Sequence, residues 1–432
     1  MRFATVAQAQ AYLEGFINLE RRRSFAYAKL GTARVRALLA EVGDPHQGLP
    51  CVHIAGSKGK GSVALATEAL LRAAGYRVGT YTSPHLESWL ERYRIDGTIA
   101  SETQLLDALE RLHPAAERLR ADTELCPSFF DVSTVLAFLI FRAADVEAGV
   151  IEVGLGGRLD STNVVDSRVC VLTSIQLEHT DKLGSTLEAI AGEKAGILRQ
   201  GIPALYGPLA PDPEGVVLAA AVVLDAPVEE VYASDVRCDE EGMSLALPDG
   251  RTLFAGIWGR HQAHNVALAV RAAEYFAARA LKAEELESLS SLRLPARLER
   301  FGDVVLDSSH TPDSAHALRE TLDELRPGRP RVLVVSISRD KDAEAILQEL
   351  APGACAFIAC ESEAVRSRPA EELEALAWAC GIETAEARPD PDEALARARE
   401  IARSGDLIVI CGSIYLAGAL RRRLLESPGG AG

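Results

Sequence analysis

Residues 53–62 read HIAGSKGKGS. A glycine-rich loop with a Gly-Lys pair and a following hydroxyl suits phosphate binding, since backbone N–H groups can wrap the oxygens while the lysine reaches the terminal ones. The common spacing G-x-x-x-x-G-K-[ST] is missed, because Ile54 stands where the first glycine belongs and Gly61 intervenes before Ser62. Gly56, Ser57, Lys58, Gly59, Lys60, Gly61 and Ser62 therefore form a candidate phosphate loop, with a glycine-closed tight turn as the plainer alternative. Glu152 sits in the otherwise apolar segment AGVIEVG. A carboxylate there wants a metal or a cation, and a buried structural salt bridge is the alternative. The glycine turn that follows brings Arg158 and Asp160.

Lys194 is the sharpest anomaly. Ser185 and Glu188 read as a capping box starting a helix, on which Leu187, Ile190, Ala191 and Lys194 fall at i, i+3, i+4 and i+7, one apolar face. A buried lysine has its pKa pulled toward the neutral amine, which can take up carbon dioxide as a carbamate, an anion fit for a hard divalent metal. Helix geometry alone favours a lysine that snorkels to water. Alone, Thr82-Ser83-Pro84-His85 reads as a Ser-Pro turn and His179 as a loop histidine.

The elements that must position these groups alternate between strand and helix. CVHIAG is a strand entering the glycine loop, SVALATEALLRAAG a helix ending at Gly75, and YRVGTYTSP a second strand, a βαβ unit with its loop at a helix N-terminus. Helices are expected in AQAYLEGFINLE, ARVRALLAEVG, STVLAFLIFRAA and HQAHNVALAVRAAEYFAAR, and short strands over 215–257. The pattern breaks near Pro295, the expected boundary between domains 1–295 and 296–432. Beyond it DVVLDSS, RVLVVSIS, CAFIACES and DLIVICGS predict a smaller, mostly parallel, Rossmann-like sheet. The SPGGAG tail is expected to be disordered.

The chain has 432 residues, enough for two domains. A net charge of −16 argues against nucleic acid, which needs a basic face. The eight cysteines show no C-x-x-C pair and are expected to be reduced and structural. No signal-peptide core or long apolar run is present, which predicts a cytoplasmic protein with no membrane partner. A monomer is the default expectation.

In order along the chain, HIAGSKGKGS, YTSPHLESWLERYRIDG, SFFDVSTVLAF, EVGLGGRLDSTN, EHTDKLGSTLEAIAGEKAGI, GRHQAHNVALA, PARLE, RDKD and CGSIYLAGAL resemble the blocks of the folylpolyglutamate synthase / dihydrofolate synthase family of the Mur-ligase superfamily. The resemblance implies an α/β, Mur-ligase-like fold, with a large ATP-binding domain around a parallel sheet and a smaller C-terminal Rossmann-like domain. It implies an ATP-dependent ligase that joins L-glutamate to dihydropteroate or a reduced folate through an acyl phosphate. Residue by residue, it implies that Gly56 to Ser62, Asn265, Arg297 and Asp307 contact ATP. Ser83 and Glu152 would hold one Mg²⁺ and His179 a second, with Lys194 carbamylated. Ser128, Phe130, Leu159, Asp160 and Ser161 would line the pterin pocket, and Lys60, His179, Lys194 and His310 would carry the catalysis.

Four positions depart from the family pattern. The loop has Ser57-Lys58 for Thr-Asn, Asp131 replaces a glutamate, LGTARV (30–35) lacks an acidic residue, and DSSHT (307–311) replaces D-[GV]-A-H-N, so that Thr311 stands for asparagine. The last is expected to disturb closure of the C-terminal half-site. Alternatives are a specialised ligase glutamylating another pterin or aryl acid, and a non-catalytic nucleotide-binding homologue. A cell-wall Mur ligase would need a further domain before the loop, and only some fifty residues precede it here.

Overall fold

The computed structural model describes residues 3–18 and 31–426. The last two residues of AQAYLEGFINLE (19–20), the first of LGTARV (30) and the SPGGAG tail lie outside the described residues. The first sheet contains β1 (Pro50–Ala55), β2 (Val78–Tyr81), β3 (Tyr93–Ile95), β4 (Thr98–Ile99), β5 (Ala148–Glu152), β6 (Asp166–Leu172), β7 (Ala204–Tyr206) and β8 (Val228–Glu230), in the order β4-β3-β2-β5-β1-β6-β7-β8. Six of these run parallel, and β3 and β4 add an antiparallel edge hairpin. Strands buried on both faces read as near-continuous apolar runs, and β5 and β1 do so apart from Glu152 at the end of β5 and His53 within β1.

Helices Lys60–Ala73 and Gln262–Ala277 cover one face around Val52, Ile54, Val150 and Val171. A small antiparallel sheet of β9 (Ser234–Cys238), β10 (Met243–Ala246) and β11 (Thr252–Ala255) packs into the same core. Helices Ala33–Glu41, Glu102–Arg120 and Phe129–Ala143 cover part of the other face, and Leu187–Ala195 with Pro211–Val223 the rest. The helix Pro211–Val223 corrects the expectation of strands from 215. Pro211 at its first turn, with Asp212 and Glu214 there against the helix dipole, outweighs the β-branched valines.

The second sheet joins β12 (Glu299–Phe301), β13 (Val304–Leu306), β14 (Arg331–Val335), β15 (Ala354–Ala359), β16 (Ala385–Ala387) and β17 (Leu407–Cys411) in the order β12-β13-β17-β14-β15-β16. All but β12 run parallel, and separate apolar cores fill its two faces, as expected for a doubly wound sheet. All eight cysteines are free. Among the described residues no helix is long and apolar enough to cross a membrane.

Candidate active site

At the centre of the first sheet, β1 passes from Ala55 into the glycine loop and then into the helix beginning at Lys60. Two glycines are sterically required here. A Cβ on Gly56 would lie 1.9 Å from Thr173 Oγ1, and one on Gly59 2.3 Å from Asn265 Oδ1, both in left-handed or unusual backbone with φ of +150° and +87°. The loop is held from β6's end: Ser57 N–H donates to Ser174 O (2.8 Å), Lys58 N–H to Ser174 Oγ (3.0 Å), and Thr173 Oγ1–H to Lys58 O (2.5 Å). Lys60 folds back over it, Nζ donating to Gly56 O at 2.9 Å and Ser57 O at 3.5 Å. A helix N-terminus with two lysines beside it is a combination suited to an anion inside an acidic protein.

Glu152 closes β5, paired in register with Ile54 of β1, so it meets the loop at the carboxyl edge of the sheet where open α/β folds bind ligands. Only 4% exposed, it accepts Ser83 N–H on Oε2 at 2.9 Å. Burial pushes its carboxyl up, while Lys60, the Ser83 N–H, Arg297 and Arg92 oppose this only partly. This is a carboxylate short of positive charge, an oxygen donor that fits a hard divalent cation such as Mg²⁺.

Lys194 lies on the apolar helix face, as its spacing predicts, at 1% exposure beside Ile190 and Ala191. The cap is corrected. Thr186, in extended backbone, accepts Ala189 N–H at 3.3 Å, and the helix starts at Leu187, one residue later than a Ser185 cap would place it. Lys194 Nζ donates to Glu178 Oε1 at 2.8 Å. Burial lowers the amine to about 8, against the pull of Glu178, with Lys60 lowering it further. Burial alone would raise Glu178, but Lys194 and Lys60 outweigh it and hold that carboxyl down. The two shifts favour an ion pair, while burial draws the amine toward its neutral form. A carbamate at this position would place a second anion beside Glu178, a pair that a divalent cation would neutralise. Glu178 had no role in the sequence reading, although its place directly before His179 could have flagged it. His179 stands at the surface, in left-handed backbone at the head of the short helix Thr180–Leu183. Packing on its protein side, then the charges of Lys182, Lys60 and Lys194, lower its imidazole despite Glu178.

Beside this corner opens a cavity of about 310 Å³ whose lining includes Ser83, His179 and all five predicted substrate residues, Ser128, Phe130, Leu159, Asp160 and Ser161. Phe129, Phe130, Trp89 and Tyr415 offer apolar faces, and Arg34, Arg92 and Lys182 offer positive charge, a match for a flat ring system carrying a carboxylate. The polar residues mostly bind one another. Asp131 Oδ2 accepts Ser128 N–H (2.8 Å) and Oγ–H (2.7 Å), and Oδ1 accepts Ser161 Oγ–H (2.7 Å). Asp131, the departure from glutamate, therefore ties two walls of the cavity together. Asp160 accepts Leu155 N–H, Thr162 N–H and Thr162 Oγ–H. Ser128 and Asp160 thus build the wall, leaving Phe130 and Leu159 as its apolar contact surface.

From the second sheet, Arg297 acts electrostatically on Glu152, Lys58 and His310. Asp307, after β13, accepts Leu298 N–H (2.9 Å) and Ser309 N–H (2.7 Å). His310 Nδ1 lies 2.8 Å from Ser308 O, which only accepts, so Nδ1 carries the proton and Nε2 is the acceptor. Burial, with Lys58, lowers its pKa to about 4. Thr311 is the N-cap of helix Pro312–Leu325, in a capping box with Ser314. Asparagine and threonine are both good N-caps, so the departure at DSSHT keeps the cap of this helix. Thr311→Asn should change stability by less than about 0.5 kcal/mol and leave kcat in place, whereas Thr311→Ala costs about 1 kcal/mol. Asp307→Ala, which strands two N–H groups, should cost about 2 kcal/mol or more. Thermal unfolding of the three variants checks this ranking, and an Asp307→Ala protein as stable as the parent would contradict it.

Residues 296–414 match the family "Mur ligase, glutamate ligase domain". Over 91% of this chain and 90% of the relative, the sequence is 35% identical to the dihydrofolate synthase/folylpolyglutamate synthase of Mycobacterium tuberculosis. It is 32% identical to that of Bacillus subtilis over 92% and 95%. A Mycobacterium tuberculosis folylpolyglutamate synthase structure complexed with ADP and AMPPCP superposes with a TM-score of 0.89 at 31% identity, covering 98% of this chain and 99% of that one. Shared length, shared fold and the matched C-terminal domain agree that this chain belongs to the dihydrofolate synthase/folylpolyglutamate synthase family of Mur-type ligases.

Proposed function

We propose that the protein ligates L-glutamate to the carboxylate of dihydropteroate or a reduced folate at the expense of ATP, acting as a dihydrofolate synthase, a folylpolyglutamate synthase or both. The observation that carries this reading is the link from cavity to loop: Ser83 and His179 line the aromatic, cation-bearing cavity, Ser83 N–H donates to Glu152, and the loop's Lys60 acts electrostatically on Glu152 and His179. An Escherichia coli relative of known structure is described as complexed with DHPP and ADP, at a TM-score of 0.81 and 27% identity over 98% of each chain.

In the proposed sequence, the cavity holds the acid with its carboxylate toward the loop, and that carboxylate's oxygen bonds to the γ-phosphorus as the bond to ADP breaks. The amino group of glutamate then attacks the acyl carbon, expels inorganic phosphate and gives up a proton. Lys60 and Lys58 neutralise the charge that migrates across the phosphates, and the loop N–H groups fix their orientation. Asn265 and Arg297 bear on the nucleotide, Asp307 orders the segment carrying Arg297, and the unprotonated Nε2 of His310 can accept a hydrogen bond at neutral pH. Mg²⁺, held by Ser83 with Glu152 and by His179 with a carbamylated Lys194, would supply charge neutralisation at the γ-phosphate. The unit 1–295 would bind ATP and the pterin, and 296–432 would close over them, in a cytoplasmic monomer.

The test is product analysis. Incubation with ATP, Mg²⁺, L-glutamate and a panel of dihydropteroate, tetrahydrofolate and non-pterin aryl acids should yield glutamylated product from at least one pterin, with equimolar ADP and phosphate. Turnover confined to a non-pterin acid would transfer the assignment to a specialised ligase, and hydrolysis without ligation would end it.

A further inference from the structure

His53 is fully buried in the middle of β1. Its neighbours Val52 and Ile54 enter the core beneath helix Lys60–Ala73, so strand alternation turns His53 to the opposite face. There its Nε2 lies 3.0 Å from Thr162 Oγ1. Thr162 Oγ1 has a single proton and donates it to Asp160 Oδ1 at 2.6 Å. The contact with His53 must then run from Nε2–H to the threonine oxygen, giving the chain His53 Nε2–H, Thr162 Oγ1–H, Asp160 carboxylate. His53 Nδ1 is left buried without a partner among the described residues. A stranded buried nitrogen is costly, and a leucine or isoleucine would fill the same space without it, so core filling alone does not account for a histidine here.

The chain ends in the wall of the cavity. Asp160 takes Leu155 N–H on its second oxygen and so holds the segment running from Gly154 to Asp160, which carries Leu155 and Leu159. Two residues beyond His53, β1 ends and the phosphate loop begins. We propose that His53 is a positioning residue for the acid substrate, setting the cavity wall through Thr162 and Asp160 from the strand that also carries the phosphate loop. This rests on the reading of the cavity as the site of the pterin acid. The neutral ring the relay needs is the one burial favours, since desolvation and Arg199 lower its pKa to about 3.

Three variants separate positioning from packing. His53→Gln can place an amide N–H where Nε2–H stands, His53→Asn carries its amide at the Nδ1 position, and His53→Leu only fills space. We expect His53→Asn and His53→Leu to raise the KM for the pterin acid by about three- to tenfold while the ATP Kd stays within about twofold, and His53→Gln to restore the parent value. Equal impairment by Gln and Asn, a parallel rise in ATP Kd, or an unchanged KM in all three would overturn the proposal. If His53→Leu fails to fold, the Gln and Asn comparison decides. NMR of isotopically labelled imidazole nitrogens needs no substrate. It should show the Nε2–H tautomer, and an Nδ1–H ring would overturn the relay. An Nε2–H ring in a protein that turns over no pterin acid would instead sink the reading of the cavity, and with it the role assigned to His53.

Discussion

Lys60→Ala is expected to reduce kcat by about 10²-fold or more, with a smaller change in ATP affinity. The ammonium lies on the loop carbonyls of Gly56 and Ser57 and is the largest opposing influence on the burial that raises Glu152. It also reaches Glu178 and Lys194 electrostatically. Its removal therefore acts twice. The γ-phosphate loses a preorganised positive charge that matters more as charge migrates in the transition state, an effect of about 3 kcal/mol or more by analogy with other fixed electrostatic stabilisers. Glu152 loses its main compensating charge, its carboxyl rises further, and the oxygen site proposed for Mg²⁺ weakens. Loop backbone N–H groups, Lys58 and the helix N-terminus remain, which is why nucleotide binding suffers less. Steady-state kinetics with ATP titration checks this, and turnover near that of the parent would remove Lys60 from the reaction.

Lys194→Ala should abolish most activity and also cost about 3 kcal/mol of stability, because it leaves the Glu178 carboxylate without its buried partner. The two effects separate with small carboxylates. If a carbamate is the working form, acetate or formate entering the gap should restore part of kcat without restoring stability. Stripping carbon dioxide from the parent should lower kcat reversibly, with bicarbonate bringing it back. The uncarbamylated amine also has a defined pH signature. Its folded pKa, about 8, lies below the ordinary value of 10.5, so the folded state is penalised for holding the proton, fully so below about pH 8. That penalty is relieved as pH rises from about 8 toward 10.5, where the unfolded chain binds more protons. In bicarbonate-free buffer the parent should therefore gain stability relative to Lys194→Met across that window. A flat difference, together with no response to carboxylates or bicarbonate, would leave Lys194 as a structural ion-pair partner.

How far the sequence carries depends on the range of the interaction. The buried parallel strands were legible because β1, β5, β14 and β17 are apolar runs, and Lys194 was legible because a 3.6-residue stripe places it by spacing alone. β12 and β16, of three residues each at the sheet edges, leave too short a pattern to read. The cap at Thr186 rather than Ser185 turns on backbone angles that two adjacent hydroxyls cannot distinguish. Glu178 with Lys194, Asp131 with Ser161 and His53 with Thr162 join residues 16, 30 and 109 positions apart. Nothing local in the chain specifies such pairs. The capping role of Thr311 likewise shows only with the helix Pro312–Leu325 behind it.

In the proposed reaction the cavity presents a pterin carboxylate to the γ-phosphate, and an acyl phosphate links the two half-reactions. The most direct measurement uses dihydropteroate or tetrahydrofolate whose terminal carboxylate carries a heavy-oxygen label, turned over with ATP, Mg²⁺ and L-glutamate. Each inorganic phosphate released should carry one labelled oxygen, with a glutamylated pterin formed in equal amount. Phosphate free of label, alongside glutamylated product, would contradict this route.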